Sequence, residues 1–395
     1  MRPLAGSIKR YDWGSPEAIP QILGIPADGQ PLAEYWLGAH PMGPSSVDGV
    51  SLAQIISDYP AVVGDSARQE FEGRLPFLVK LLSAARPLSL QAHPTRLDAQ
   101  AGFERENILG LALDAPERTY RDPWDKPELL VALTEFEALA GFRDPRASAD
   151  LFSQLGLHPQ TEVLFAPLVH RHPTAGLAEV FLDCLVLNEE RHGAVTDVVT
   201  AAVRHLADPG ELGEFARTAV LLDEHFPGDP SLLAALLLNR RSLHPGEALH
   251  LKAGTMHAYL CGTGVEVMGS SDNVLRGGLT TKHIDASALV QVVNFTPDDM
   301  PALHPDQEAP GLWHYPAGER AFAVWRLDLV PGRTIELPAE SSGRILLVTK
   351  GKLGLTTGAD ALVLESGQAA FIGAGETVLA SGEGQGFLSA TGTDA

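Results

Sequence analysis

Between about residues 145 and 240 the periodicity of the chain turns helical, while on both sides it reads as short strands punctuated by glycine. Ala178–Leu187, Ala194–Leu206 and Leu212–His225 each carry apolar residues at i, i+3 and i+4, which puts them on one helix face. The segment "GDPSLLAALLLN" adds a helix start, with Asp229 suited to the N-cap and Pro230 to the first helical position. A helix buries one stripe and a strand one face, so this pattern predicts a helical unit carried between two β-rich regions.

The β-rich regions have their own grammar. "LPFLVKLLSAARPLSLQAHP" reads as a strand over Phe77–Leu82, a turn near Arg86-Pro87 and a second strand over Leu88–His93, and "KPELLVALTEFEALAGF" reads as strand too. After Leu243 one template occurs twice. Gly246 is followed, after five intervening residues, by Lys252-Ala253-Gly254-Thr255-Met256-His257, and Gly367 likewise by Gly373-Ala374-Gly375-Glu376-Thr377-Val378. Each copy reads as a strand entering a glycine turn and a strand leaving it. The second copy has Val378 where the first has His257, and "GRILLVTKGKLGL" before it supplies a further strand, turn and strand.

Gln91 and His93 lie two apart and would share one face of a strand. With Glu128 and His257 they make a nitrogen and oxygen donor set suited to zinc or another divalent first-row metal. One carboxylate leaves a divalent ion at about +1, which favours stabilising a developing oxyanion. Spacing alone does not separate this from an ordinary polar strand face. His170 and His172 show the same spacing but read as surface, and His250 reads as a polar strand residue. A second concentration lies in "GVEVMGSSDNVLRGGLTTKHID", where Glu266, Asp272, Arg276 and Lys282 are interleaved with glycines. It reads either as a polar turn region or as a site loop in which Arg276 and Lys282 meet an anion. No phosphate-cradling P-loop, dinucleotide fingerprint, zincin helix or nucleophile elbow is present.

Charge and cysteine content bound the partners. Fifty acidic against 29 basic residues give a net charge of −21 over 395 residues, which disfavours a nucleic-acid binder. An anionic substrate then requires a local cluster of Lys and Arg. Cys184 and Cys261 cannot make a disulfide framework. The opening "MRPLAGSIKRYDWG" lacks a signal-peptide core and no run of about 18 apolar residues occurs, so a cytoplasmic location without membrane contact is expected.

Taken together, "YDWGS", "AEYWLGAHPMGPS", "LPFLVKLLSAARPLSLQAHP", "DKPE" and "AGTMHAYLCGTGVEVMGSSDNVLRGGLTTKHID" resemble, in order, the type I mannose-6-phosphate isomerases, a zinc-dependent cupin family. The resemblance implies a mainly β fold with an α-helical insertion. A catalytic cupin barrel would comprise 1–144 and 240–300, a helical domain 145–239, and a metal-free cupin 301–395. It implies one zinc per chain on Gln91, His93, Glu128 and His257, and a catalytic Arg276. Lys126, Glu266, Asp272 and Lys282 would be further catalytic candidates, and Trp13, Lys80, Ser89 and Tyr259 would line the substrate pocket. The implied reaction interconverts mannose 6-phosphate and fructose 6-phosphate by zinc-assisted proton transfer through a cis-enediol, in a monomer whose partner is a small sugar phosphate. The base stays open among Glu266, Asp272, Lys126 and Lys282, and the phosphate is expected at some of Ser89, Lys80, Lys126 and Lys282. The chain departs from the family where Asn-His commonly precedes Lys-Pro-Glu, because Trp124-Asp125 stands there. That histidine has been considered for proton transfer, so its replacement argues against an essential role here. A sugar-phosphate sensor without catalysis is the alternative reading. An iron oxygenase is a second rival, and Gln91 fits its usual ligand set poorly.

Overall fold

The computed structural model describes residues 1–185, 193–282, 284–358 and 360–392. The fold is mainly β. Among the described residues, ten strands form one sheet, nine form a second, and two short strands pair separately. Helices dominate the stretch from Pro145 to Ala235.

The centre of the ten-stranded sheet is a trio of antiparallel strands, Phe77–Ala84, His257–Gly269 and Glu128–Ala132. All eight residues of Phe77–Ala84 are buried, so both faces of that strand are covered. The two faces differ by parity, as a period of two requires. Phe77, Val79, Leu81, Leu129, Val131, Val265 and Val267 join one core with Tyr315, Ile345, Leu347 and Phe387 of the nine-stranded sheet. That packing locks the two sheets together. Residues of the opposite parity, among them Lys80, Glu128 and Glu266, point the other way. Burying three charged groups on otherwise apolar strands is costly unless they are paired, so this face marks the site.

The repeated template is a repeated structure. Ala248–Leu251 pairs with Glu128–Ala132, which pairs with His257–Gly269. In the other sheet, Ala369–Ile372 pairs with Arg344–Thr356, which pairs with Leu379–Ala390. Gly246 and Gly254 have φ of +93° and +81°, and Gly367 and Gly375 have +81° and +83°, values that favour glycine. At the second copy Val378 packs with Leu346, Val348, Leu353 and Leu388, so an apolar cluster surrounds the position corresponding to His257.

The helical reading holds with shifted ends. Helices cover Pro173–Leu185, Gly193–Val203 and Gly210–His225; residues 186 and 187, expected in the first of these, lie outside the described residues. The last helix is only Ser231–Ala235, and Leu238–Leu243 is a strand paired with Phe136–Phe142. Continuous apolar sequence over Leu232–Leu238 does not distinguish a buried helix from a buried strand, which is why the boundary was hidden. Helix Arg96–Ile108, capped by the Thr95 hydroxyl accepting from Asp98 N, interrupts what reads as a strand-rich region. One strand crosses between regions: Arg2–Leu4 pairs with Ala369–Ile372, far along the chain. Among the described residues no helix is long and apolar enough to cross a membrane.

Candidate metal centre and cleft

His93, Glu128 and His257 arrive from three directions and converge. His93 follows the short strand Leu90–Ala92, Glu128 opens the strand Glu128–Ala132, and His257 opens the strand His257–Gly269. One ligand atom from each lies within 4.8 Å of the others. His93 Nε2 is 3.2 Å from Glu128 Oε1, and His257 Nε2 is 3.3 Å from Glu128 Oε2. All three side chains are at most 2% exposed.

The remaining ring atoms explain the orientation. His93 Nδ1 donates to the Asn273 carbonyl at 2.7 Å and His257 Nδ1 to the Thr255 carbonyl at 3.0 Å. Each imidazole therefore presents Nε2 as a lone pair towards the other ligands, the arrangement found around metal-bound histidine. Burial pulls the His93 imidazole down to about 4, which keeps it neutral. Burial raises the Glu128 carboxyl, but the Lys126 ammonium beside it opposes this, and the carboxyl is held well below the usual range. His93 Nε2, Glu128 Oε2 and His257 Nε2 are buried polar atoms without a hydrogen-bond partner. Three orphaned donor atoms converging in one buried spot fit a metal ion.

Gln91 completes the expected set by register. It lies directly across from His257 on one side and from Arg276 on the other, and opposed residues of antiparallel strands share a face.

Gln91 and Glu128 line a cleft of about 1280 Å³. Trp13, Ser89, Lys80, Lys126, Tyr259, Glu266, Asp272, Arg276 and Lys282 all line it with Gln91 and Glu128, so the structure brings the whole expected set together. Lys126 Nζ sits 3.1 Å from Glu128 Oε1. Lys80 Nζ is 2.7 Å from Glu266 Oε2 and 3.4 Å from Glu34 Oε1, and Tyr259 donates its hydroxyl to Glu266 Oε1 at 2.9 Å. Burial lowers the Lys80 ammonium, but the carboxylates of Glu266 and Glu34 more than reverse it. Lys80 is thereby held as a cation. Burial also raises the Tyr259 hydroxyl well above its usual value, which keeps it a donor.

Asp272 has a different setting. Its Oδ1 is 3.4 Å from His40 Nε2. Burial raises this carboxyl, but the hydrogen bond and charge of His40 bring it below its ordinary value. At the exposed rim, Arg121 and Lys282 flank Arg276, and burial and mutual repulsion among these cations lower Arg276 and Lys282. This is the local basic cluster that a chain of net charge −21 needs for an anionic ligand.

Sequence reading did not single out Glu34, His40, Arg121 or Asn273. Glu34 and Trp36 alternate on one strand, and the Trp36 indole donates to Glu34 Oε2 at 2.8 Å, but their link to Lys80 is long-range and left no local sign. Asn273 is fully buried and ties two loops together. Its side-chain amide donates to the carbonyls of Asp122 and Trp124 at 2.7 and 2.8 Å, and its Oδ1 accepts from Arg121 N. Trp124 is sandwiched between the guanidiniums of Arg96 at 3.3 Å and Arg74 at 4.2 Å, and Asp125 pairs with Arg96 at 4.0 Å. Neither residue lines the cleft. His250 pairs with Glu319 Oε1 at 2.7 Å, and His170 and His172 are exposed, as expected.

Residues 1–145 match phosphomannose isomerase type I, catalytic domain. Over 98% of its length the chain is 37% identical to the mannose-6-phosphate isomerase of Escherichia coli (strain K12), of which 98% is covered. The mannose-6-phosphate isomerase of Homo sapiens is 30% identical over 95% of this chain and 94% of its own. Among solved structures, mannose 6-phosphate isomerase bound with zinc and yttrium superposes with a TM-score of 0.90 at 36% identity, covering both chains fully. The apo form from Salmonella typhimurium gives 0.90 at 35% identity over 100% of this chain and 99% of that one.

Proposed function

The chain belongs to the type I mannose-6-phosphate isomerases, and from that membership we propose that it interconverts D-mannose 6-phosphate and D-fructose 6-phosphate in the cleft above His93, Glu128 and His257. The observation that carries this reading is the convergence of three orphaned ligand atoms beneath a basic rim. Zinc is the cofactor, held by His93, Glu128, His257 and Gln91; when bound, it supplies a Lewis acid of about +1 for sugar oxygens.

The chain's own residues then divide the work. Arg276, on the same face as Gln91, offsets the negative charge that develops on the cis-enediol oxygens. Proton transfer between C2 and C1 needs a base that is ionised and reaches the cleft. Lys80 is fixed between two carboxylates, Glu266 is occupied by Lys80 and Tyr259, and Lys126 is paired with Glu128. Asp272 lines the cleft with its carboxyl held down by His40, and is assigned the proton transfer. The phosphate is assigned to the rim at Lys282 and Arg121, with Ser89 along the wall. Trp13 and Tyr259 bound the sugar's space.

The reading divides the chain into a catalytic cupin barrel (1–144 and 240–300), a helical insertion (145–239) and a metal-free cupin (301–395). The repeated strand–turn–strand unit supports two related barrels. The reading includes a working monomer in the cytoplasm. The one sequence feature that supports a sensor is Trp124-Asp125 in place of the family's Asn-His, and both residues are engaged away from the cleft. An assay of purified protein with mannose 6-phosphate, alongside metal analysis, tests the proposal. Turnover that is lost on chelation and regained with zinc is the expected result. Zinc-loaded protein that binds the sugar phosphate without turnover would overturn it in favour of a sensor.

A further inference from the structure

Arg276 stands on a short strand, Leu275–Gly278, whose pairing with Leu90–Ala92 becomes irregular immediately after it. Gly277 has no partner in the register, and a bulge of this kind re-aims neighbouring side chains. Gly278 then has φ +133° and Leu279 φ +52°. A leucine in the left-handed region costs on the order of 1 kcal/mol and persists only where its surroundings hold it.

The holding group comes from the helical stretch. Leu279 N–H donates to Ser231 Oγ at 2.6 Å, and the Ser231 hydroxyl donates onward to Asp229 Oδ1, also at 2.6 Å. Ser231 N–H donates to the same oxygen at 2.9 Å. The hydroxyl's one proton is therefore committed to Asp229, which leaves its lone pair for Leu279. The contact is interlocked as well as polar, because a Cβ on Gly278 would lie 2.1 Å from Ser231 Cβ and 2.3 Å from its Oγ. Ser231 and Leu279 are both almost fully buried, so water cannot replace the bond.

We infer that Ser231, oriented by Asp229, is a positioning residue for Arg276: from the last helix of the helical stretch it holds the Gly278–Leu279 corner and so fixes where the guanidinium lies in the cleft. The Asp229-Pro230-Ser231 segment, which reads in sequence as a helix start, spends its polar groups on the catalytic side of the molecule. The inference rests on the role given above to Arg276.

A double-mutant cycle tests it on the zinc-loaded full chain. Ser231→Ala, which keeps the apolar packing, is expected to lower kcat about tenfold with zinc content unchanged and to speed hydrogen exchange at the Leu279 amide. In an Arg276→Ala background the same change is expected to cost less than twofold, because the group it positions is gone. A tenfold loss that persists in that background means Ser231 acts elsewhere, and an unchanged kcat for Ser231→Ala means the corner holds itself; either overturns the inference alone. Near-wild-type turnover by Arg276→Ala removes the role of Arg276 and this inference with it. Should Ser231→Ala fold poorly, Asp229→Ala is the second variant, expected to act in the same direction through the same cycle. Rapid exchange of the Leu279 amide in the unmodified protein would also overturn the inference.

Discussion

Lys80 and Glu266 face each other across two antiparallel strands, Nζ to Oε2 at 2.7 Å, with side chains only 8% and 3% exposed. Glu34 approaches the same ammonium at 3.4 Å, so one cation serves two carboxylates. Removing the shared cation leaves two buried carboxylates without compensation. Lys80→Ala is expected to lower unfolding free energy by about 3–5 kcal/mol, measured by urea denaturation. A change below about 1 kcal/mol would show that the pair is not ionised.

The metal ligands predict joint loss. His257→Ala removes one of three converging donors, so bound zinc and isomerase activity should fall together. Metal analysis and turnover are measured on the same preparation. Full zinc occupancy in this variant would mean the ligand set is misassigned.

Arg276 predicts the opposite split. Arg276→Ala should retain zinc while kcat falls by about two orders of magnitude, the effect of losing one preorganised oxyanion partner. Turnover near the unmodified level takes Arg276 out of the reaction.

Trp124 and Asp125 form a packing unit with Arg74 and Arg96, away from the cleft. Replacing both by the family's commoner pair, Trp124→Asn with Asp125→His, should cost stability, about 1–3 kcal/mol for two lost cation–π contacts. Activity at the temperature of the assay should stay within about threefold. A tenfold rise in turnover would instead mark the missing histidine as a proton carrier.

Tyr315 gives a pH dependence. Its hydroxyl donates to the Gly246 carbonyl at 2.8 Å, joining the two sheets, and burial pushes it up to about 12. The folded protein keeps this proton where the unfolded chain releases it, so the stabilisation is complete below pH 10 and is lost as pH rises from 10 to 12. The slope is up to about 1.4 kcal/mol per pH unit. Tyr315→Phe should lack this component, and denaturation of both proteins across that range is the measurement.

Much of this was legible in sequence because it is local. The glycine template around Gly246 and Gly254 prescribes its own turn, and its second copy at Gly367 and Gly375 reproduces the same backbone angles. The residues that the resemblance singles out through the QAHP, DKPE and DNVLRGG segments line one cleft or converge beside it. What stayed hidden is what depends on partners far along the chain. Glu34 meets Lys80 across 46 positions, and Asn273 holds His93 across 180. Ser231 reads as the third residue of a helix start, and only the packed structure shows its hydroxyl turned towards Leu279. Helix Arg96–Ile108 was missed because its flanks read so clearly as strand.

The pairing of Arg2–Leu4 with Ala369–Ile372 bears on how the chain is made. Synthesis runs from N- to C-terminus at roughly 5–20 residues per second, so this strand waits on the order of tens of seconds for its partner. Until then its backbone donors and acceptors stay open, and the nine-stranded sheet lacks one edge. The ten-stranded sheet uses no residue beyond 278 and can close earlier. The nine-stranded sheet is thus completed only when a strand near residue 370 returns to one made far earlier.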